Sequence, residues 1–167
     1  MVFDFVVFPT LTTPRLLLRK MVPQDAQDIF TIRGDYEVTK YNIGPAYTTI
    51  TQAQNLISAI ANAYTEKDQL RWGITLPPAQ TVVGMVGFNY WDRTDHRASV
   101  GFDLARAYWR QGIMREALNA IITFGFEEMQ LNRIEADCSI YNTASATLLL
   151  SVGFVQEGHQ REQYYED

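Results

Sequence analysis

The sequence predicts an α+β domain whose mixed, mostly antiparallel central sheet is flanked by helices. The first half runs through β-rich segments separated by turn signals, and the Pro77-Pro78 pair reads as the connection of a hairpin. The second half alternates helix with strand, which brings a parallel pairing into the same sheet. From Met114 to Met129 the apolar residues Met114, Ala117, Leu118, Ile121, Ile122, Phe126 and Met129 share one face, with Arg115, Glu116, Asn119, Glu127 and Glu128 opposite.

Each element has its own signal. Arg15 to Lys20 is apolar and extended after Pro14, a strand, and Pro23 opens a short helix that begins near Asp25 and runs to Arg33. After the turn-rich stretch Tyr41 to Tyr47, Thr51 is placed to cap a helix whose Ala53, Leu56, Ile57, Ile60 and Tyr64 recur at three- and four-residue steps. Arg71 to Leu76, Thr81 to Trp91 and Ala98 to Leu104 read as strands of an antiparallel set. Arg133 to Ile140 reads as a further strand, Asn142 to Val152 as a helix ended by Gly153, and Phe154 onward as a final extended segment.

At 167 residues and 47% hydrophobic content, the chain has material for one sizeable core, so residues 1–167 are read as a single domain. Cys138 is the only cysteine and there are two histidines, which excludes an internal disulfide and a clustered zinc site and makes the cytoplasm the default compartment. The opening MVFDFVVFP carries Asp4 and lacks both a basic leader and a small-residue cleavage site, so it is not read as a signal peptide. A net charge of −5 argues against a nucleic-acid or anionic-membrane surface, so any bound anion must be held locally.

The local candidate is Tyr108-Trp-Arg-Gln-Gly-Ile-Met-Arg115, at a strand-to-helix junction where free backbone N–H groups and the positive helix end can receive phosphate oxygens. Gly112 lets the backbone approach an anion, Arg110 and Arg115 offer charge to a pyrophosphate, and Arg106 lies near enough in sequence to help. The same residues also read as an ordinary glycine loop with solvated arginines. A second constellation follows: Asn142-Thr-Ala-Ser145, an apolar helix, Gly153-Phe154 and Glu157-Gly158.

In order and spacing, LTTPRLLLR, the GMVGF hairpin, the VGFDL strand, YWRQGIMREAL and NTASATLLLSVGFVQEG resemble the GNAT superfamily of acetyl-CoA-dependent N-acetyltransferases. The likeness is to its RimJ/RimL-like branch, which acetylates ribosomal-protein N-termini and related amines, and it covers nearly the whole chain. It implies the GNAT fold, acetyl-CoA as co-substrate, no metal and a primary-amine acceptor. It assigns the pyrophosphate to Arg110, Gln111, Gly112, Ile113, Met114 and Arg115, Met114 standing where the family pattern has a small residue. It also implies that Leu104 and its neighbours pair through main chain with the pantetheine arm of a splayed sheet, whose N–H groups stabilise charge on the acetyl carbonyl. Asn142 is expected beside pantetheine and Ser145 near the thiolate leaving group. From the residues alone, Asn142 is also a good helix cap and Ser145 a local hydrogen-bonding partner.

Direct attack on a thioester needs a carboxylate to take the amine proton. Glu162, in the Arg-Glu pair that follows EG in this branch, and Asp103, on the central strand, are the candidates, with Asp92 at the hairpin end. Each carboxylate also reads as a solvated or strand-end group. His96 and His159 have no neighbouring constellation and are read as surface residues, whereas Tyr41 in the NIGPAY turn is a candidate acceptor wall. Relatives continue beyond Tyr164-Tyr-Glu-Asp167 with one more strand, so the reading includes a domain lacking its last strand, with a homodimer partner as one source of the missing wall. The function expected is N-acetyl transfer to a protein N-terminus or a small-molecule amine. An antibiotic or polyamine acetyltransferase and a catalytically weak acyl-CoA-binding regulatory module remain as alternatives.

Overall fold

The computed structural model describes residues 3–161. Six strands form one sheet in chain order: β1 (Leu11–Thr12), β2 (Leu17–Arg19), β3 (Leu70–Thr75), β4 (Gly84–Asp92), β5 (Arg97–Leu104) and β6 (Arg133–Glu135). The first five pair antiparallel and β5 with β6 pairs parallel, which gives the expected mixed, mostly antiparallel sheet. Five helices accompany it: α1 (Ala26–Arg33), α2 (Tyr36–Thr39), α3 (Ile50–Thr65), α4 (Ile113–Glu127) and α5 (Thr143–Ser151).

Side chains that alternate across the sheet build a core on each face. Trp72, Ile74, Val86, Phe88, Ala98 and Val100 pack with Ala117, Leu118 and Ile121 of α4. On the other face Met21, Val82 and Met85 pack with Ile29 and Ile32 of α1 and Ala53, Ile57 and Ile60 of α3. The apolar N-terminal run joins the first core, where Phe5 stacks on Trp91 at 5.3 Å and the Trp72 indole donates to the Pro9 carbonyl at 2.6 Å.

Four expectations are corrected or extended. Helix α3 is capped by Thr49, which forms a capping box with Gln52, so the cap lies two residues before Thr51. Strand β6 stops at Glu135 rather than Ile140, because β5 and the following chain diverge after Ser99 pairs with Glu135. Strand β1 and helix α2 carry too few residues for a periodic signal. From Phe154 onward no strand is formed among the described residues, and the segment is tied down instead by Glu157, which accepts two hydrogen bonds from Arg133 at 3.1 and 2.6 Å.

Candidate functional site

Chain reversal between β5 and α4 creates the candidate anion-binding loop. Trp109 anchors it by donating its indole N–H to the Leu104 carbonyl at 2.7 Å, and Gln111 Nε2 donates to the Ala107 carbonyl at 2.9 Å. Two residues then adopt left-handed backbone, Arg110 at φ 60° and Gly112 at φ 75°. Gly112 is the N-cap of α4 and takes this conformation without the Cβ penalty. The first helical hydrogen bond of α4 runs from Glu116 N–H to the Gly112 carbonyl at 3.0 Å, so the N–H groups of Ile113, Met114 and Arg115 lie ahead of it, open to an anion.

Side chains sort themselves around those donors. Ile113 and Met114 turn inward and are buried in the core, so Met114 removes nothing from the phosphate side of the loop. Arg110, Gln111, Gly112 and Arg115 are exposed, and neither arginine is ion-paired among the described residues. This is a cradle of backbone dipoles with two guanidiniums beside it, which fits a pyrophosphate. Arg106 points elsewhere, to Asp35 at 3.1 Å.

The loop is held from behind by residues the sequence reading left unassigned. Arg15 donates through Nη1 to the Gln111 carbonyl at 2.8 Å and through Nε to Glu116 at 2.6 Å. Glu116 also accepts from the Thr13 hydroxyl at 2.6 Å and from the Arg15 N–H at 2.9 Å. Burial resists ionisation of Glu116, yet the donors from Thr13 and Arg15 win and hold its carboxyl below the ordinary glutamate value. A Thr-x-Arg preceding the first long strand and a Glu four residues past the loop glycine was the available signal.

Beside the loop, β5 loses its neighbour. Ala105 N–H bonds to the Val83 carbonyl at 2.8 Å, on the β4 side, so the two-residue alternation of a strand turns the polar groups of Phe102 and Leu104 toward β6. The ladder to β6 has already ended at Ser99 and Glu135. From Val100 to Leu104 the β6 side of β5 is therefore a strand edge without a ladder partner among the described residues. Its Leu104 carbonyl is engaged by Trp109, which leaves the N–H groups of Phe102 and Leu104 and the Phe102 carbonyl as the main-chain edge.

Further along the chain, Asn142 is the N-cap of α5 and its Oδ1 accepts the Ser145 N–H at 3.1 Å. The Ser145 side chain is partly exposed and its hydroxyl makes no hydrogen bond to a described residue. Asp103 is 7% exposed, accepts from Arg33 Nη1 at 3.0 Å and from Asn42 Nδ2 at 2.8 Å, and so sits in a satisfied ion pair. Asn42, next to the candidate Tyr41, is the residue through which the α2–α3 connection reaches β5. Glu162 lies outside the described residues. Asp92 organises the β4–β5 turn, accepting from Thr94 and Asp95 N–H at 2.9 and 3.0 Å, at the opposite end of β5 from Leu104. His96 is exposed and faces the Gln130 carbonyl. Among the described residues no cluster of three or more His, Cys, Asp or Glu side chains is disposed to hold a metal, and no helix is long and apolar enough to cross a membrane.

Residues 15–155 match the family model described as an acetyltransferase (GNAT) domain. The N-acetyltransferase p20 of Bacillus licheniformis is 41% identical over 154 residues, covering 92% of this chain and 86% of p20. The [ribosomal protein uS5]-alanine N-acetyltransferase of Escherichia coli is 24% identical over 162 residues, covering 91% of this chain and 81% of that enzyme. The crystal structure of a GNAT-family acetyltransferase from Bacillus anthracis superposes with a TM-score of 0.80 at 26% identity, covering 90% of this chain and 86% of that one. With the loop at the head of α4 following directly on the strand where β5 and β6 part, the chain belongs to the GNAT family and is an acetyl-CoA-dependent N-acetyltransferase, with relatives that include ribosomal-protein N-acetyltransferases.

Proposed function

We propose that the protein transfers the acetyl group directly to the primary amine of a protein N-terminus or of a small molecule. The observation that carries this reading is that the α4 loop follows directly on the free edge of β5, so that donors suited to phosphate come immediately after donors suited to an added strand. The N–H groups of Gly112 to Arg115, with Arg110 and Arg115, hold the pyrophosphate. The edge at Phe102 and Leu104 receives pantetheine as an added strand would be received, Asn142 flanks it, and a β5 N–H offsets negative charge growing on the carbonyl oxygen as nitrogen attacks.

The N–C bond forms, the C–S bond breaks, the Ser145 hydroxyl donates to the departing thiolate, and a carboxylate takes the amine proton. Glu162 is the proposed acceptor of that proton, directly or through water; Asp103, already bound by Arg33 and Asn42, is better suited to orienting the acceptor. A cytoplasmic location accords with the unpaired, exposed Cys138. The protein N-terminal acceptor is supported by the uS5-alanine acetyltransferase among the relatives. The engaged state of Asp103 also favours a second reading, an acyl-CoA-binding module with weak turnover.

Calorimetric titration with acetyl-CoA and desulfo-CoA, repeated on Gly112→Glu, tests the donor site, and thiol release with an amine panel tests turnover. Binding by wild type alone, followed by amine-dependent thiol release, is the expected result. Binding without release from any amine establishes the second reading, and a folded wild type that binds neither ligand refutes both.

A further inference from the structure

On the face of the sheet covered by α1 and α3, two neighbouring strands carry no side chain at adjacent positions. Gly87 on β4 pairs with Gly101 on β5, and Arg71 on β3 pairs with Gly87, so the three lie in one row across the sheet. A Cβ on Gly87 would meet the Arg71 Cγ at 2.8 Å: the arginine stem lies over the bare glycine, directed toward β5. The next row holds Asp103, opposite Met85. Gly101 brings no side chain of its own and is overlain by the Asn89 side chain from β4, with Asp103 in the next row on β5 and Arg71 two strands away in the same row.

The charges around Asp103 do not balance. Asp103 is matched by Arg33 at 3.0 Å and by Asn42 at 2.8 Å. Arg71 is half-buried and makes no hydrogen bond to a described residue; its Nε is shut off from solvent, as is that of Arg33, while its terminal nitrogens stay accessible. Burial pushes the Arg71 guanidinium down from its ordinary value and nearby Arg33 adds to this, while Asp103 opposes it. Two guanidiniums share one carboxylate, which leaves the accessible end of Arg71 free to take an anion.

We infer that the acceptor carries a carboxylate close to its reacting amine, and that Arg71, with Arg33 behind it and Asp103 of β5 beside them, is the specificity residue that reads it. This rests on the proposed function and narrows its acceptor class. A planar guanidinium fork matches a carboxylate in two hydrogen bonds, whereas the same surplus charge repels polycations, which sets aside the polyamine and aminoglycoside-like alternative. Two sources of that chemistry are distinguishable: an acidic residue following a peptide N-terminus, and the α-carboxylate of a free amino acid.

The experiment measures acceptor binding by calorimetry, with and without saturating CoA, so that it does not depend on turnover. C-terminally amidated peptides beginning Ala-Asp are compared with Ala-Asn counterparts, and alanine with alaninamide, on wild type, Arg71→Met and Arg71→Lys. We expect the carboxylate member of at least one pair to bind about 10-fold tighter to wild type, as a charge-assisted bond to a half-buried arginine should give. Arg71→Met removes that preference, Arg71→Lys keeps part of it, and acetyl-CoA affinity stays within about twofold in both, as expected of a site remote from the donor loop. Absence of preference in both pairs, or a preference that survives in Arg71→Met, overturns the inference even where thiol release shows an active acetyltransferase. Conversely, carboxylate preference in a protein that never releases thiol upholds the anion site and refutes the turnover reading alone.

Discussion

Glu116→Ala removes the acceptor on which the donor loop hangs. The lost contacts are the Thr13 hydroxyl at 2.6 Å, the Arg15 N–H at 2.9 Å and the Arg15 Nε at 2.6 Å. At about 1 kcal/mol net per hydrogen bond the sum is about 3 kcal/mol. The Arg15 side chain is 46% exposed and that of Glu116 18%, so solvent screens the ion pair and the figure falls to about 2 kcal/mol. For a chain of this size that lowers Tm by about 4–8 °C. The second consequence is functional: Arg15 holds the Gln111 carbonyl at 2.8 Å, and without Glu116 to orient it the left-handed turn at Arg110 and Gly112 loses its tie. Reordering that loop on binding should weaken acetyl-CoA about 10-fold. Differential scanning calorimetry and acetyl-CoA titration read the two effects, with Glu127→Ala, at the exposed end of α4, as the control. A variant whose Tm and acetyl-CoA affinity both match wild type would refute the clamp.

Titration of the same carboxylate gives a pH signature. Because the folded Glu116 carboxyl lies below its ordinary value, its stabilising contribution is complete above the unfolded value of about 4.3 and is lost as pH falls through the folded one, so the Tm gap between wild type and Glu116→Gln should close in acid. Asn142→Ala and Ser145→Ala separate cap from catalyst: the first should cost about 1 kcal/mol of stability, the second should lower kcat with Tm unchanged. Trp109→Phe leaves the Leu104 carbonyl without its indole donor and should cost about 1 kcal/mol, measured by urea denaturation.

What the sequence made legible was local. Helix α4 was read from Met114 to Met129 and spans Ile113–Glu127; the α5 cap at Asn142 and the strands around Pro77-Pro78 follow from period and turn chemistry alone. The loop Arg110 to Arg115 and the helix start it leads into are legible because they are contiguous in sequence. Its supports were not: Arg15 meets Glu116 across 101 residues, Arg33 meets Asp103 across 70, and Asn42 meets Asp103 across 61. Asp103 is conspicuous as a base because it is a carboxylate on a central strand, while the arginine that pairs with it closes a helix read only from Pro23 and a start near Asp25. Gly87 and Gly101 looked like ordinary strand glycines until the register put them side by side.

The parting of β5 from β6 has a further consequence for the protein between turnovers. Past Ser99, β5 presents main-chain donors and acceptors on one side with no ladder partner, which is the property that makes sheet edges seed association. Most folds hide such an edge at the rim; here it lies inside the sheet, where the proposed binding mode makes the substrate the missing strand. Acetyl-CoA is then a folding ligand as well as a reactant, and at 100 times its Kd it should add about 2.7 kcal/mol to stability. Depleting the donor would leave a chain that heats into aggregates sooner, so the abundance of this protein should follow the supply of the molecule it consumes.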